Sequence, residues 1–355
     1  MTSELAELTK ELCDITSVTG DEQAFADYLE ARFKQLPDSF TWKREGHSLW
    51  VQSPRREDCE WVALFGHTDT VPPSPIANPI RIENGTLYGL GTADMKGGLA
   101  LMLKVLEEAE SQLPDKDFLL VFYDKEEGPI IDSGLTPLLE AHPEWKEIDL
   151  AVCLEPTDNA IQLGCVGGLH ATLTVEGQAA HSARPWQGKN AVHLAGPLLT
   201  DLLNRDFVEI EIQGLSFREV MSVTVANGGT ARNVIPGEFT MTLNYRYAPG
   251  KDEATARQEV MDMVNGRATV EWQEQIPSGR VCLDNLQLKT LLEKYPLNLE
   301  AKQAWTDVAQ LSQFGVDAVN CGPGHPKYAH QADEQIKIKA LDEGLEIMRK
   351  LLSDT

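Results

Sequence analysis

The sequence has no closely spaced pair of cysteines: Cys13, Cys59, Cys153, Cys165, Cys282 and Cys321 are scattered over 355 residues. Without a C-x-x-C spacing neither a disulfide framework nor a thiolate zinc knot is indicated, and the six read as free thiols, several in apolar strands. Also missing is any apolar run of about 18 residues, so no segment reads as a membrane span. Cationic residues are scarce, with 31 Lys and Arg against 55 Asp and Glu and a formal charge of −24. Such a surface repels nucleic acid and anionic membranes while favouring solubility. The opening stretch MTSELAELTKELCDITSVTG reads as an amphipathic acidic helix, not as a basic, apolar, cleavable signal, and a cytoplasmic location is expected. Internal repeats and low-complexity tracts are absent.

What is present is an ordinary globular composition, 42% hydrophobic and 24% charged, long enough for two cores. To about residue 170, helical and strand patterns alternate: helices near 3–13 and 21–35, strands SLWVQS and WVALFG, helix GGLALMLKVLEEAE, strand DFLLVFYD, a helix near 132–141 and strand DLAVCLE. This alternation predicts an α/β domain with a mostly parallel sheet and helices on both faces. Past residue 170 the strands become two-faced, as in HATLTVEG, MSVTVANGG and FTMTLNYRY, with helices near 188–204 and 252–265. That pattern predicts an antiparallel sheet covered on one face. After SGRVC the α/β character returns, ending in a helix near 339–353. The expected organisation is 1–172 plus 282–355 as one domain, with 173–281 inserted as an α+β two-layer sandwich.

Five segments place imidazole or carboxylate groups just after apolar strands or at helix starts: 63-ALFGHTDTVPP-73, 89-GLGTADMKGG-98, 121-VFYDKEEGP-129, 152-VCLEPTD-158 and 328-YAHQADE-334. Strand ends are where open α/β sheets bind ligands. His67 and Asp69 alone fit a hydrogen-bonded turn as well as a metal ligand with its orienter. Five coincidences at one sheet edge are harder to ascribe to capping. Two divalent ions about 3.5 to 4 Å apart need a bridging carboxylate, terminal His and carboxylate ligands, and open positions. A further carboxylate must accept a proton from water. Adjacent Glu126 and Glu127 point in different directions and can divide these tasks. GLGTADMKGG is a poor phosphate loop, because Asp94 occupies the third glycine position and no G-K-[ST] follows. Gly97 and Gly98 instead suit close helix packing. Asp124 and Lys125 read as a solvated turn, His142 and His193 as structural, and His325 as either a turn residue or a ligand.

GHTDTVP, GTADMKGG, DKEEG, LEPTD and AHQADE resemble, in order and separation, the di-zinc aminoacylase and carboxypeptidase family. The likeness covers essentially the whole chain. LEPTD, GGLHATLTVEGQAAHSARPWQGKNAV, NVIPGEFTMTLNYRYAP and WTDVAQ followed by GPG and AH are most similar to the succinyl-diaminopimelate desuccinylases, particularly the actinobacterial branch. The resemblance implies a zinc-peptidase-like catalytic domain with an inserted lid and dimerisation domain. It also implies two zinc ions per subunit, replaceable by cobalt. His67, Asp94 and Glu155 would hold one ion and Asp94, Glu127 and His330 the other, with Asp94 bridging. Asp69 would orient His67, and Glu126 would be the general base. A cis peptide after Asp94 is common in the family.

The resemblance further implies that His181, in GQAAHSARP, reaches the partner subunit's site in a homodimer and donates to the oxyanion. Arg184, Asn233, Arg246, Thr306, Gly322 and Gly324 would contact the substrate, since arginine forks match carboxylates. Arg232 fits either a substrate contact or a solvated strand end. The implied reaction is hydrolysis of N-succinyl-L,L-diaminopimelate, a small N-acyl amino acid. An acetylornithine deacetylase or dipeptidase would carry similar metal residues, and a catalytically dead metal-binding scaffold is the alternative of another class.

Overall fold

A computed structural model describes residues 3–76 and 79–353 of the chain; the outermost bounds of the expected catalytic domain, 1 and 355, lie outside the described residues. Within it, Trp61–His67 is buried at every position, as are Asp117–Tyr123 and Leu150–Cys153. Strands of this kind must be covered on both faces. They form the middle of an eight-stranded sheet in the order 41–45, 48–52, 117–123, 61–67, 150–153, 318–320, 161–163, 299–301. Pairings from 117–123 through 318–320 are parallel. The flanking pairs are antiparallel, through the hairpin of Thr41–Glu45 with Ser48–Gln52 on one side and Ile161–Leu163 on the other. Parallel character is thus concentrated at the centre of the sheet. Helices Glu4–Asp14, Gly97–Ser111 and Ile338–Leu352 pack on one another. The first is capped by Ser3, whose hydroxyl accepts the Ala6 N–H at 3.2 Å. The helix expected near 132–141 starts only at Leu135, after the single turn Ile130–Asp132, with Ser133 and Gly134 interrupting it.

The chain divides into two compact units. One comprises Met1–Leu163, Cys282–Glu300 and Gln310–Thr355, and the other Gly164–Val281 and Ala301–Ala309. The second unit holds a five-stranded antiparallel sheet in the order 208–212, 215–228, 238–247, 167–176, 269–276. Alternation decides its faces: along Glu238–Tyr247, Phe239, Met241, Leu243, Tyr245 and Tyr247 turn inward. Helices Ala191–Leu203 and Glu253–Val264 contribute Ala195, Leu198, Ala256 and Val260 to that core. Each helix starts on a side-chain cap, Asn190 and Asp252 respectively.

Candidate active site

His67 lies opposite Tyr123 on one neighbouring strand, and Phe65 lies opposite Cys153 on the other. Because all three strands run the same way, the segments after them leave at one sheet edge, carrying Asp69, Glu126, Glu127 and Glu155. The Leu154 N–H donates to the Phe65 carbonyl at 2.9 Å, so Glu155 directly follows the last ladder bond. Ala318–Asn320 adds the next parallel strand and delivers Gly322 and Gly324 to the same edge.

The groups converge closely. His67 Nε2 lies 3.1 Å from Asp94 Oδ1, 3.8 Å from Glu155 Oε1 and 3.9 Å from Glu126 Oε2. His330 Nε2 lies 3.4 Å from the other oxygen of Asp94, Oδ2, and 2.9 Å from Glu127 Oε1. Ligand atoms of His67, Asp94 and Glu127 all fall within 4.8 Å of one another. Asp94 stands between the two imidazoles and offers each a different oxygen. The Asp94–Met95 peptide is cis.

Two buried carboxylates brace this arrangement. Asp69 Oδ1 accepts the Glu126 N–H at 3.0 Å, and Oδ2 accepts the Glu127 N–H at 3.1 Å and the Thr19 hydroxyl at 2.9 Å. His67 Nδ1 is 3.0 Å from the Asp69 backbone carbonyl and 3.4 Å from its carboxylate, so both parts of Asp69 hold the ring. Glu334 Oε1 accepts the N–H groups of Ala93 and Asp94 at 2.9 and 3.0 Å, and Oε2 that of Gly91 at 3.0 Å. Glu334, the last residue of AHQADE, is a further functional residue that its local sequence does not mark. Gly322 packs on the backbone of Leu154 and Glu155, where a Cβ would lie 2.7 Å from the Glu155 carbonyl.

Charge is concentrated here. Burial pulls the His67 imidazole down, but Asp69, Asp94 and Glu126 outweigh it and hold it well above its ordinary pKa. Asp94 and Glu127 push half-exposed His330 up to about 10. Burial would raise Asp94, yet the two histidines hold it below the carboxylate range. Burial raises Glu334 to about 7 against the pull of its N–H donors. The surrounding carboxylates thus favour the protonated form of both imidazoles.

His181, Arg184, Asn233, Arg246 and Thr306 belong to the second unit. His181 is exposed on the short strand Ala180–His181, paired with Val234–Ile235, and its Nδ1 accepts the Ala183 N–H at 3.1 Å. Arg184, Arg232 and Asn233 are exposed, Thr306 is buried, and burial lowers the Arg246 guanidinium. His325 caps the turn Pro326–Tyr328 by accepting the Lys327 N–H at 3.2 Å. His142 stacks on Trp145 and bonds Glu45 and Glu144, a structural role. Asp124 corrects the expectation of a solvated turn: it is buried, and Ser48 of the 41–52 hairpin satisfies it with a hydroxyl bond. No helix among the described residues is long and apolar enough to cross a membrane.

Comparison with known proteins adds to this geometry. A Mycobacterium tuberculosis protein provisionally named succinyl-diaminopimelate desuccinylase is 37% identical over 349 residues, covering 98% of this chain and 97% of that protein. The Corynebacterium glutamicum protein named succinyl-diaminopimelate desuccinylase is 35% identical over 357 residues, covering 98% of this chain and 95% of its own length. Among solved structures, a tripeptidase from Staphylococcus aureus shares the fold with a TM-score of 0.79 at 20% identity, covering 99% of this chain and 98% of that one. The profile of Peptidase family M20/M25/M40 matches residues 63–354, and the chain belongs to that family.

Proposed function

We propose that this protein is a two-metal amidohydrolase that cleaves N-succinyl-L,L-diaminopimelate to succinate and L,L-diaminopimelate, serving lysine and diaminopimelate synthesis. The observation that carries the reading is Asp94, with Oδ1 turned to His67 and Oδ2 to His330. A carboxylate shared between two imidazoles, each with a further carboxylate beside it, suits a pair of borderline divalent ions. His67, Asp94 and Glu155 would hold one and Asp94, Glu127 and His330 the other, zinc being the expected ion and cobalt a substitute. Bound there, the ions supply Lewis acidity toward an amide carbonyl and make water nucleophilic at neutral pH.

The protein's own groups do the rest. Glu126 is held by its backbone N–H on Asp69, with its Oε2 3.9 Å from His67 Nε2, and in this assignment is left free of the metal. Its carboxylate would take a proton from the attacking water and return it to the leaving amine nitrogen. Asp69 and Glu334 would fix His67 and the Asp94 loop so that neither reorganises during the reaction. Residues 1–172 and 282–355 would form the catalytic domain, and 173–281 a lid and dimerisation domain of a cytoplasmic homodimer. His181 of that domain would donate to the oxyanion, with Arg184, Asn233, Arg246, Thr306, Gly322 and Gly324 contacting the substrate.

The names of the two relatives support succinyl over other acyl groups. The test is a product assay over N-succinyl-L,L-diaminopimelate, N-acetylornithine and dipeptides, with metal content measured on the same sample. Preferential release of succinate is expected. Turnover of the acetyl or dipeptide substrates alone would overturn the substrate, and no turnover of any by metal-replete protein would overturn the enzyme reading.

A further inference from the structure

A second group of ligating side chains lies apart from the site above. Glu22 precedes helix Gln23–Phe33, His47 sits in the turn between strands Thr41–Glu45 and Ser48–Gln52, and Asp124 follows strand Asp117–Tyr123. One ligand atom from each lies within 4.8 Å of the other two.

The Glu22 side chain is fully buried. Its Oε1 accepts the Gly20 N–H at 2.7 Å, but Oε2 has no hydrogen-bond partner and faces His47 Nδ1 at 3.5 Å. Asp124 is also buried, with Oδ1 taken by the Ser48 hydroxyl. Gly134 makes room for it, since a Cβ there would collide with this carboxylate and lie 2.6 Å from Ser48 Oγ. Among the described residues no lysine or arginine forms an ion pair with Glu22 or Asp124. One imidazole, even protonated, offers a single positive charge to two buried carboxylates. Burying charge without compensation is costly, and an orphaned carboxylate oxygen marks where compensation is missing.

We infer that Glu22, His47 and Asp124 form a further cation site, distinct from the Asp94 cluster, that takes one divalent ion of the zinc or manganese class. Two carboxylates and a neutral imidazole balance one such ion in charge, and mixed nitrogen and oxygen donors suit a borderline metal. The His47 side chain is 30% exposed, which leaves an open side for water ligands and for entry. The three donors come from segments far apart in sequence. An ion here would tie the start of one helix and a hairpin turn to the strand end that leads, two residues on, to Glu126.

The test uses full-length protein carrying Asp94→Ala, which disables the principal cluster. Metal-stripped protein is equilibrated with Zn(II) or Mn(II) alone and analysed for bound metal after removal of excess. One equivalent is expected, and it should disappear when His47→Ala or the turn-compatible His47→Asn is added. With Asp94 intact, either His47 variant should hold one equivalent less than wild type. No bound equivalent in the Asp94→Ala protein, or one that survives both folded His47 variants, overturns the site. These outcomes do not depend on activity, so they are separable from failure of the proposed reaction.

Discussion

The Asp69 carboxylate accepts the backbone N–H of Glu126 at 3.0 Å, while the same residue holds the His67 ring through its carbonyl and carboxylate. One buried side chain therefore sets the position of a proposed ligand and of the proposed base. Asp69→Asn should preserve the fold but present an amide N–H₂ to one of the backbone donors at Glu126 and Glu127. Lost second-layer bonds of this type typically cost 10 to 100-fold in metal affinity or activity. Metal titration together with kcat/KM on the variant should register that loss. Wild-type values for both would mean that Asp69 orients nothing.

Glu126 and Glu127 are neighbours with separate surroundings. Glu127 Oε1 is 2.9 Å from His330, whereas Glu126 Oε2 is 3.9 Å from His67. Glu126→Gln should keep its metal and lose turnover by roughly a hundredfold or more, the scale of a missing general base. Glu127→Gln should instead weaken metal binding. Elemental analysis alongside initial rates distinguishes them, and equal metal loss in both variants would refute the division of labour.

Loading the metal-free protein should release protons. His330 is held up to about 10 by Asp94 and Glu127, so its imidazole carries a proton near pH 8, and the carboxylates around His67 shift that ring in the same direction. A metal takes only the neutral ring. Proton release should be clear near pH 8 and fall as pH rises through about 10, where His330 loses its own proton. For the metal-free protein, the raised His330 value means that stability from its pairing with Asp94 and Glu127 is complete below about 6.5 and lost as pH rises through about 10. Calorimetric titration in buffers of differing ionisation enthalpy measures the release directly. A heat independent of buffer at pH 8 would contradict the protonated arrangement.

The fold was legible because its signals are local. Val62–Phe65 is a continuous apolar run that His67 ends, and Glu238–Tyr247 alternates strictly, which is enough to separate a doubly covered strand from a one-faced one. The segments of the site were visible as polar residues punctuating such runs. Glu334 and Asp124 were not, for a common physical reason. Glu334 acquires its role from backbone N–H groups at Gly91, Ala93 and Asp94, about 240 residues earlier in the chain, and Asp124 is bonded by Ser48, 76 residues earlier. A carboxylate that accepts bonds from distant backbone has the same local sequence as one that faces water.

The final expectation concerns His181. Its Nδ1 accepts the Ala183 N–H, so the neutral ring carries its proton on Nε2, free to donate outward. If that donor meets the oxyanion in a partner subunit, His181→Ala should cost about 2.7 to 4 kcal/mol of transition-state stabilisation with metal content unchanged. Mixing His181→Ala with Asp94→Ala then makes the decisive case. Each parent dimer lacks one necessary component at both sites, but a mixed dimer can pair an intact metal cluster on one subunit with an intact histidine from the other. Activity should therefore reappear on subunit exchange, approaching half the wild-type sites per mixed dimer. Exchange verified by mass spectrometry with no recovered activity would show that His181 does not act across subunits. Recovery demands both the dimer and the donor, because an imidazole acting within its own subunit could not complement a partner's missing metal ligand.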